Sequence, residues 1–149
     1  MAIGEKEIQA GDFGRVAAEM SHALSTAPMP GLMRELKLVA EEAIAVNFLD
    51  GKEAGGGAWA PRKRNYPWPT LIKTGHLMRS ATTEQEPGHI EHIGDREMST
   101  GTNVFYAGFH EYGTERMPAR PFEAVPDSAL DLMESFIVDY IQDAVFGGD

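Results

Sequence analysis

The sequence predicts a single α+β domain: a small antiparallel sheet packed against N-terminal helices and a long C-terminal amphipathic helix. Three observations predict it. Apolar residues recur at helical spacing near both ends of the chain. The middle holds short runs separated by Pro87-Gly88 and Gly94-Asp95, which are turn dipeptides. The 149 residues show no internal repeat and no second core, which suits one domain over 1–149.

The first helix is expected from Asp12, a suitable N-cap, with Phe13, Val16, Ala17, Met20 and Leu24 on one stripe. It ends before Pro28 and Pro30. A longer helix is expected from about Gly31 to Leu49, with Leu32, Leu36, Val39, Ala40, Ala43, Ile44 and Val46 inward and Asp50-Gly51 as its close. Residues 51–67 read as a basic loop, and Gly55-Gly56-Gly57 predicts disorder when it is free.

Thr74 is placed to cap a short helix carrying Leu77 and Met78. Strands are expected at 80–86, 89–93 and 98–105, and a two-turn helix from Tyr106 to Tyr112, stopped by Gly113 in a left-handed cap. Pro118 and Pro121 lack an N–H and hold 114–122 extended, as a stiff arm with Arg120 between Met117 and Phe122. The last helix runs from about Pro126 to Phe146. Leu130, Met133, Ile137, Tyr140, Ile141, Ala144 and Val145 form its stripe, widened by Leu132 and Phe136.

Charge is uneven. Residues 1–50 carry −4, 51–82 carry +5 and 83–149 carry −11, within a total of −10. An acidic body with one basic segment argues against general nucleic-acid affinity, which needs a broad positive footprint. It permits head-to-tail pairing of copies, basic loop against acidic face. A solvated loop explains the same charge run. With no cysteine there are no disulfides or thiolate metal sites. No apolar run reaches transmembrane length, and the N-terminus has no signal pattern, so a soluble intracellular product is expected.

No motif for catalysis or for a cofactor stands out. Gly55-Gly-Gly lacks the Lys-Ser or Lys-Thr of a phosphate loop, and Gly-x-Ser-x-Gly is absent. His89 and His92 are three apart on an expected exposed strand, so their rings diverge. His110-Glu111 has Thr114 where a zinc-protease helix needs a second histidine, and His110 is expected to pack beside Tyr106. The reading is therefore not an enzyme, with no metal and no cofactor. A nucleic-acid alternative rests on loop 59–68: Arg62, Lys63 and Arg64 on phosphates, with Trp59, Tyr66 or Trp68 stacked on bases. Arg120 can clamp a carboxylate, within the chain or across subunits, with Glu111, Glu115 and Glu123 near in sequence.

Two blocks carry a resemblance. Tyr106-Ala107, His110, Gly113-Thr114 and Met117-Pro-Ala-Arg-Pro-Phe122 resemble the C-terminal signature of the phage tail-completion, or virion morphogenesis, family, which has members in phage Mu and its relatives. Upstream, Trp59-Ala60-Pro61 and Thr74-Gly75-His-Leu77-Met-Arg-Ser80 are similar to the family's tryptophan followed by "TG-x-L-x-x-S". The blocks keep the family's order and span roughly residues 48–124.

The resemblance implies a structural virion protein at the neck or head-proximal tail end, assembled in the host cytoplasm as a homo-oligomeric ring, a hexamer being one such form. Its implied partners are copies of itself, the tail tube or terminator and the head connector, with DNA passing through the ring and no membrane. Contact residues would be Trp59, Arg62, Lys63, Arg64, Trp68, Tyr106, His110, Met117, Arg120 and Phe122. On this view Arg120→Ala leaves the fold intact and blocks head–tail joining. Three departures concern the station in the neck: Glu111 replaces a frequent glutamine, His110 to Thr114 leans toward head–tail joining proteins of long-tailed phages, and Arg62-Lys-Arg64 replaces a more neutral run.

Overall fold

One helix organises the domain because more than half of its residues are buried. In the computed structural model, which describes residues 10–146, this is α2, Pro30–Asp50. Proline suits its first turn, where an N–H would have no helical partner. Gly51 ends it with φ 63° and ψ 41°, and its N–H returns to the Asn47 carbonyl. The predicted stripe is buried except Val46, which is exposed. Met33, Lys37, Glu41, Asn47 and Phe48 are buried as well, so the helix packs well beyond one stripe.

The helix α1, Ala10–Thr26, precedes it. It begins before the predicted cap, and the side chains of Asp12, Phe13, Val16 and Met20 lie outside the described residues. Ala17 is exposed and Leu24 half-buried, and none of the described α1 residues joins the core clusters.

After α2 come α3 (His76–Thr82), β1 (His89–Ile93) and β2 (Met98–Thr102). The predicted strand at 80–86 is not formed. Leu77, Ser80 and Ala81 are buried at helical spacing, so α3 continues through Ser80 and Ala81 to Thr82. The sheet therefore has two strands, paired antiparallel from His89 with Thr102 to Ile93 with Met98. β2 is shorter than the expected 98–105. The predicted turns hold: the His89 N–H reaches the Glu86 carbonyl, and the Gly94 N–H reaches Glu97. At α3 the capping residue is Gly75, not Thr74, whose hydroxyl only accepts a 3.3 Å bond from the His76 N–H.

α4 (Ala107–Tyr112) and α5 (Asp127–Phe146) complete the fold. Gly113 is not in the predicted left-handed helical cap, for its ψ is 177° beside a φ of 72°. A Cβ there would stand 2.6 Å from the Ala119 amide nitrogen, so both the turn and the close approach require glycine. α5 packs along α2 by Ala129, Met133, Phe136 and Tyr140. The predicted Leu130, Leu132, Ile137 and Ala144 are exposed instead, and the side chain of Val145 lies outside the described residues. No helix among the described residues is long and apolar enough to cross a membrane.

The core has two ends. Ile44 and Phe48, near the C-terminus of α2, pack with Trp59, Leu77, Ala81, Ala107 and Phe122. Leu32, Met33 and Leu36, near its N-terminus, pack with Ile93, Met98, Phe136 and Tyr140.

Candidate binding groove and the joint beneath it

Loop 51–67 is tied down at both ends of its glycine turn. Lys52 bridges Ala58, and the Glu53 N–H meets the Gly57 carbonyl at 2.9 Å. Trp59 then turns inward. Its ring meets Phe48 edge-on at 5.9 Å, and its indole N–H donates to the Pro121 carbonyl at 2.7 Å. Phe48 in turn packs against Phe122, which is fully buried.

The 114–122 segment closes the same joint from the other side. Arg120 is 8% exposed, and its guanidinium donates to the carbonyls of Ala60 at 2.9 Å and Pro61 at 3.2 Å. Its backbone N–H meets His110, and the N–H groups of Phe122 and Glu123 meet the Glu111 carboxylate at 2.8 and 3.2 Å. Asn47 donates to the carbonyls of Phe122 and Ala124. Buried backbone must be bonded somewhere, and the prolines hold these carbonyls where α2 and loop 59–61 can reach them.

Trp59, Arg120 and Phe122, named as contact residues, are buried within the domain. They form an internal joint, and Arg120 bonds carbonyls rather than the carboxylates named for it. Met117 is half-buried, in a tight turn closed on Thr114.

A groove of about 440 Å³ lies over the joint. Arg62, Lys73 and Arg120 supply its cations, with the imidazoles of His76 and His110. Tyr66, Trp68 and Tyr106 supply aromatic wall, and among the described residues no Asp or Glu lines it. Tyr66 and Trp68 stack at 5.0 Å. The Arg62 guanidinium lies over Tyr66 at 5.6 Å, and the Lys73 ammonium lies over Trp68 at 5.1 Å. Arg62 also donates to the Trp68 carbonyl at 2.8 Å. Leu71, at φ 62°, is the one non-glycine residue of positive φ among those described, and this strained backbone sits in the groove wall.

Of the predicted basic triplet only Arg62 reaches the groove, while Lys63 and Arg64 are exposed away from its lining. Lys73 and His76 are the members that sequence reasoning missed. They flank Thr74-Gly75, but only the folded loop brings them to Trp68. His110 stands edge-on to Tyr106 at 6.1 Å, as the helical spacing predicts. Its Nδ1 is buried and has no hydrogen-bond partner among the described residues. Burial first, then the charge of Arg120, holds its pKa below the ordinary 6.5.

A second polar cluster lies between α2 and the sheet. Lys37 bonds Glu91, and Glu41 accepts from Thr100 at 2.8 Å. His89 faces Glu41 and Glu91 through Nε2 at 3.3 Å, while its Nδ1 bonds the Ser80 carbonyl and so carries a proton. The expected exposure of His89 is wrong, since its side chain is 1% exposed. The expected divergence holds, because His92 is 59% exposed and pairs with Glu97. Glu41, His89 and Glu91 offer three ligand atoms within 4.8 Å of one another, a carboxylate and imidazole donor set of metal-ligand type. The Lys37 ammonium already supplies the positive charge there. Burial opposes that charge, but the hydrogen bond to Glu91 and the charges of Glu41 and Glu91 outweigh it and raise the Lys37 pKa. The same hydrogen bond from Lys37 holds the Glu91 carboxyl below its ordinary range.

Comparison with protein-family models, with curated proteins and with solved structures finds no match to this chain.

Proposed function

We propose that this chain is a structural subunit of a phage virion, placed at the neck or head-proximal tail end, where copies assemble into a ring that completes the tail or joins it to the head. The observation that carries the reading is an aromatic ridge on the second resemblance block. Phe105 and Tyr112 are each 83% exposed, and Phe109 between them is 50% exposed. Phe109 and Tyr112 are three apart on one side of α4, and Phe105 stands in the turn just before it. Exposed apolar side chains so grouped mark a protein contact. Trp59 of the first block donates to the Pro121 carbonyl of the second, and Arg120 of the second donates to the Ala60 carbonyl of the first, so the paired motifs fold as one unit.

The test is direct imaging. The purified protein is examined by light scattering and negative stain over a concentration series, alone and with tail and connector proteins. Closed rings, or rings seated on tail ends, are expected. The double variant Phe105→Ser/Tyr112→Ser should keep its helical content and lose them. A wild-type monomer that also ignores tail ends and connectors would overturn the reading.

The second reading places single-stranded nucleic acid in the groove, which has the required cations and aromatics.

A further inference from the structure

We propose that the groove over the joint receives the C-terminal end of α5 from a second copy, with Asp139 and Asp143 meeting Lys73 and Arg62, and Phe146 entering beside Trp68. The proposal rests on the ring reading and names the contact that would build the ring.

Charge complementarity carries it. The groove presents cations with no carboxylate among its described lining. The last turn of α5 presents the opposite: no basic residue, with Asp143 in it and Asp139 one turn before. A helix C-terminus already bears partial negative charge, so aspartates there are stabilised by an external cation. Asp139, Asp143 and Phe146 are spaced four and three apart, which places them on one side of the helix. Both aspartates are exposed, and Phe146 is 80% exposed. Two carboxylates followed by an apolar ring at the helix end match cations beside an aromatic wall.

The topology makes the contact intermolecular. The C-terminal half of α5 packs at the N-terminal end of α2, through Phe136 and Tyr140 on Leu32 and Met33. The groove lies over the other end, where Ile44 and Phe48 pack with Leu71, Leu77 and Tyr106. Leu32 and Phe48 stand 16 residues apart on α2, which separates the two by about 24 Å at 1.5 Å per residue. One copy cannot fill its own groove with this element. Two different surfaces in contact give a head-to-tail interface, which closes into a ring or runs on as a filament.

Sedimentation of the full chain tests this with two variants, Lys73→Glu in the groove and Asp139→Lys/Asp143→Lys on the helix. All three exchanged residues are exposed, and a thermal melt checks each fold. Each variant alone should self-associate at least about tenfold more weakly than the wild type. Mixed in equal amounts they should regain association, because the intact groove of one meets the intact acidic end of the other and the two reversed surfaces also attract. Higher salt should weaken the wild-type assembly.

Variants that assemble like the wild type would overturn this contact and leave the ring reading standing. So would a mixture that stays monomeric while the wild type assembles. A wild type that never self-associates would also overturn it, and the ring reading would then fall or stand on binding to tail ends. If Lys73→Glu instead abolishes binding of a labelled single-stranded oligonucleotide and leaves self-association unchanged, the groove belongs to nucleic acid and the proposal fails.

Discussion

Segment 114–122 and helix α5 depart from their sequences in opposite directions. The first has two prolines, two arginines and a glycine before it, and reads as surface, yet Arg120 and Phe122 are buried. The second is a long apolar helix that reads as core, yet Leu130, Leu132, Ile137 and Val138 are exposed. The difference lies in what each must satisfy. An extended segment has free backbone groups, and burial becomes possible once neighbours bond them, as Asn47, Trp59 and Glu111 do here. A helix satisfies its own backbone, so any face of α5 can remain open until another surface covers it.

Substitutions sharpen this contrast. Phe122→Ala should have the largest effect, because the ring is fully buried against Phe48. A loss of about 3–5 kcal/mol is expected in urea unfolding. A loss below ~1 kcal/mol would show that the segment is less integral than its burial suggests. Arg120→Ala follows, at about 1–3 kcal/mol, since two carbonyls lose their donor. This replaces the expectation that the variant leaves the fold intact. A purely assembly-defective Arg120→Ala protein of unchanged melting temperature would restore that expectation.

His110 supplies a pH dependence in the same region. Its folded pKa is held below 6.5, so below that pH the unfolded chain takes up a proton that the folded one resists. Stability present above pH 6.5 should therefore decline as the pH falls toward the folded value. Melting temperatures from pH 7.5 to 5.5 should fall more in the wild type than in His110→Gln. Equal slopes would remove His110 from the account. On α5, Leu130→Ser should change stability by about 0.5 kcal/mol or less, whereas Met133→Ala in the packed seam should change it more. A large loss at Leu130 in dilute solution would mean that the exposed face is already covered.

The helices were legible because their signals are local. Gly51 stops α2, and Leu32 through Ile44 repeat at its period. For α5 the period was visible but its phase was not, since Leu130, Leu132, Ile137 and Val138 put apolar residues all round and small Ala129 marks the true seam. The strand expected at 80–86 is instead the end of α3, because Ser80 and Ala81 share a buried face with Leu77 one turn earlier. The groove is partly legible: Arg62, Trp68, Tyr106, His110 and Arg120 stand out in the sequence, but Lys73 reaches Trp68 only through the strained turn at Leu71. The Lys37–Glu91 pair spans 54 residues, and no local pattern announces it.

The hairpin from Lys52 to Ala58 closes on itself before Trp59 enters the joint. Its tip therefore carries none of the bonds that hold the two motif blocks together, and a Cβ added at Gly55 or Gly56 would meet nothing within 4 Å. Residues spliced in at Gly55 would hang outside a closed clasp, a place where chains tolerate insertion. That tip could carry a small tag to mark each subunit in an electron micrograph.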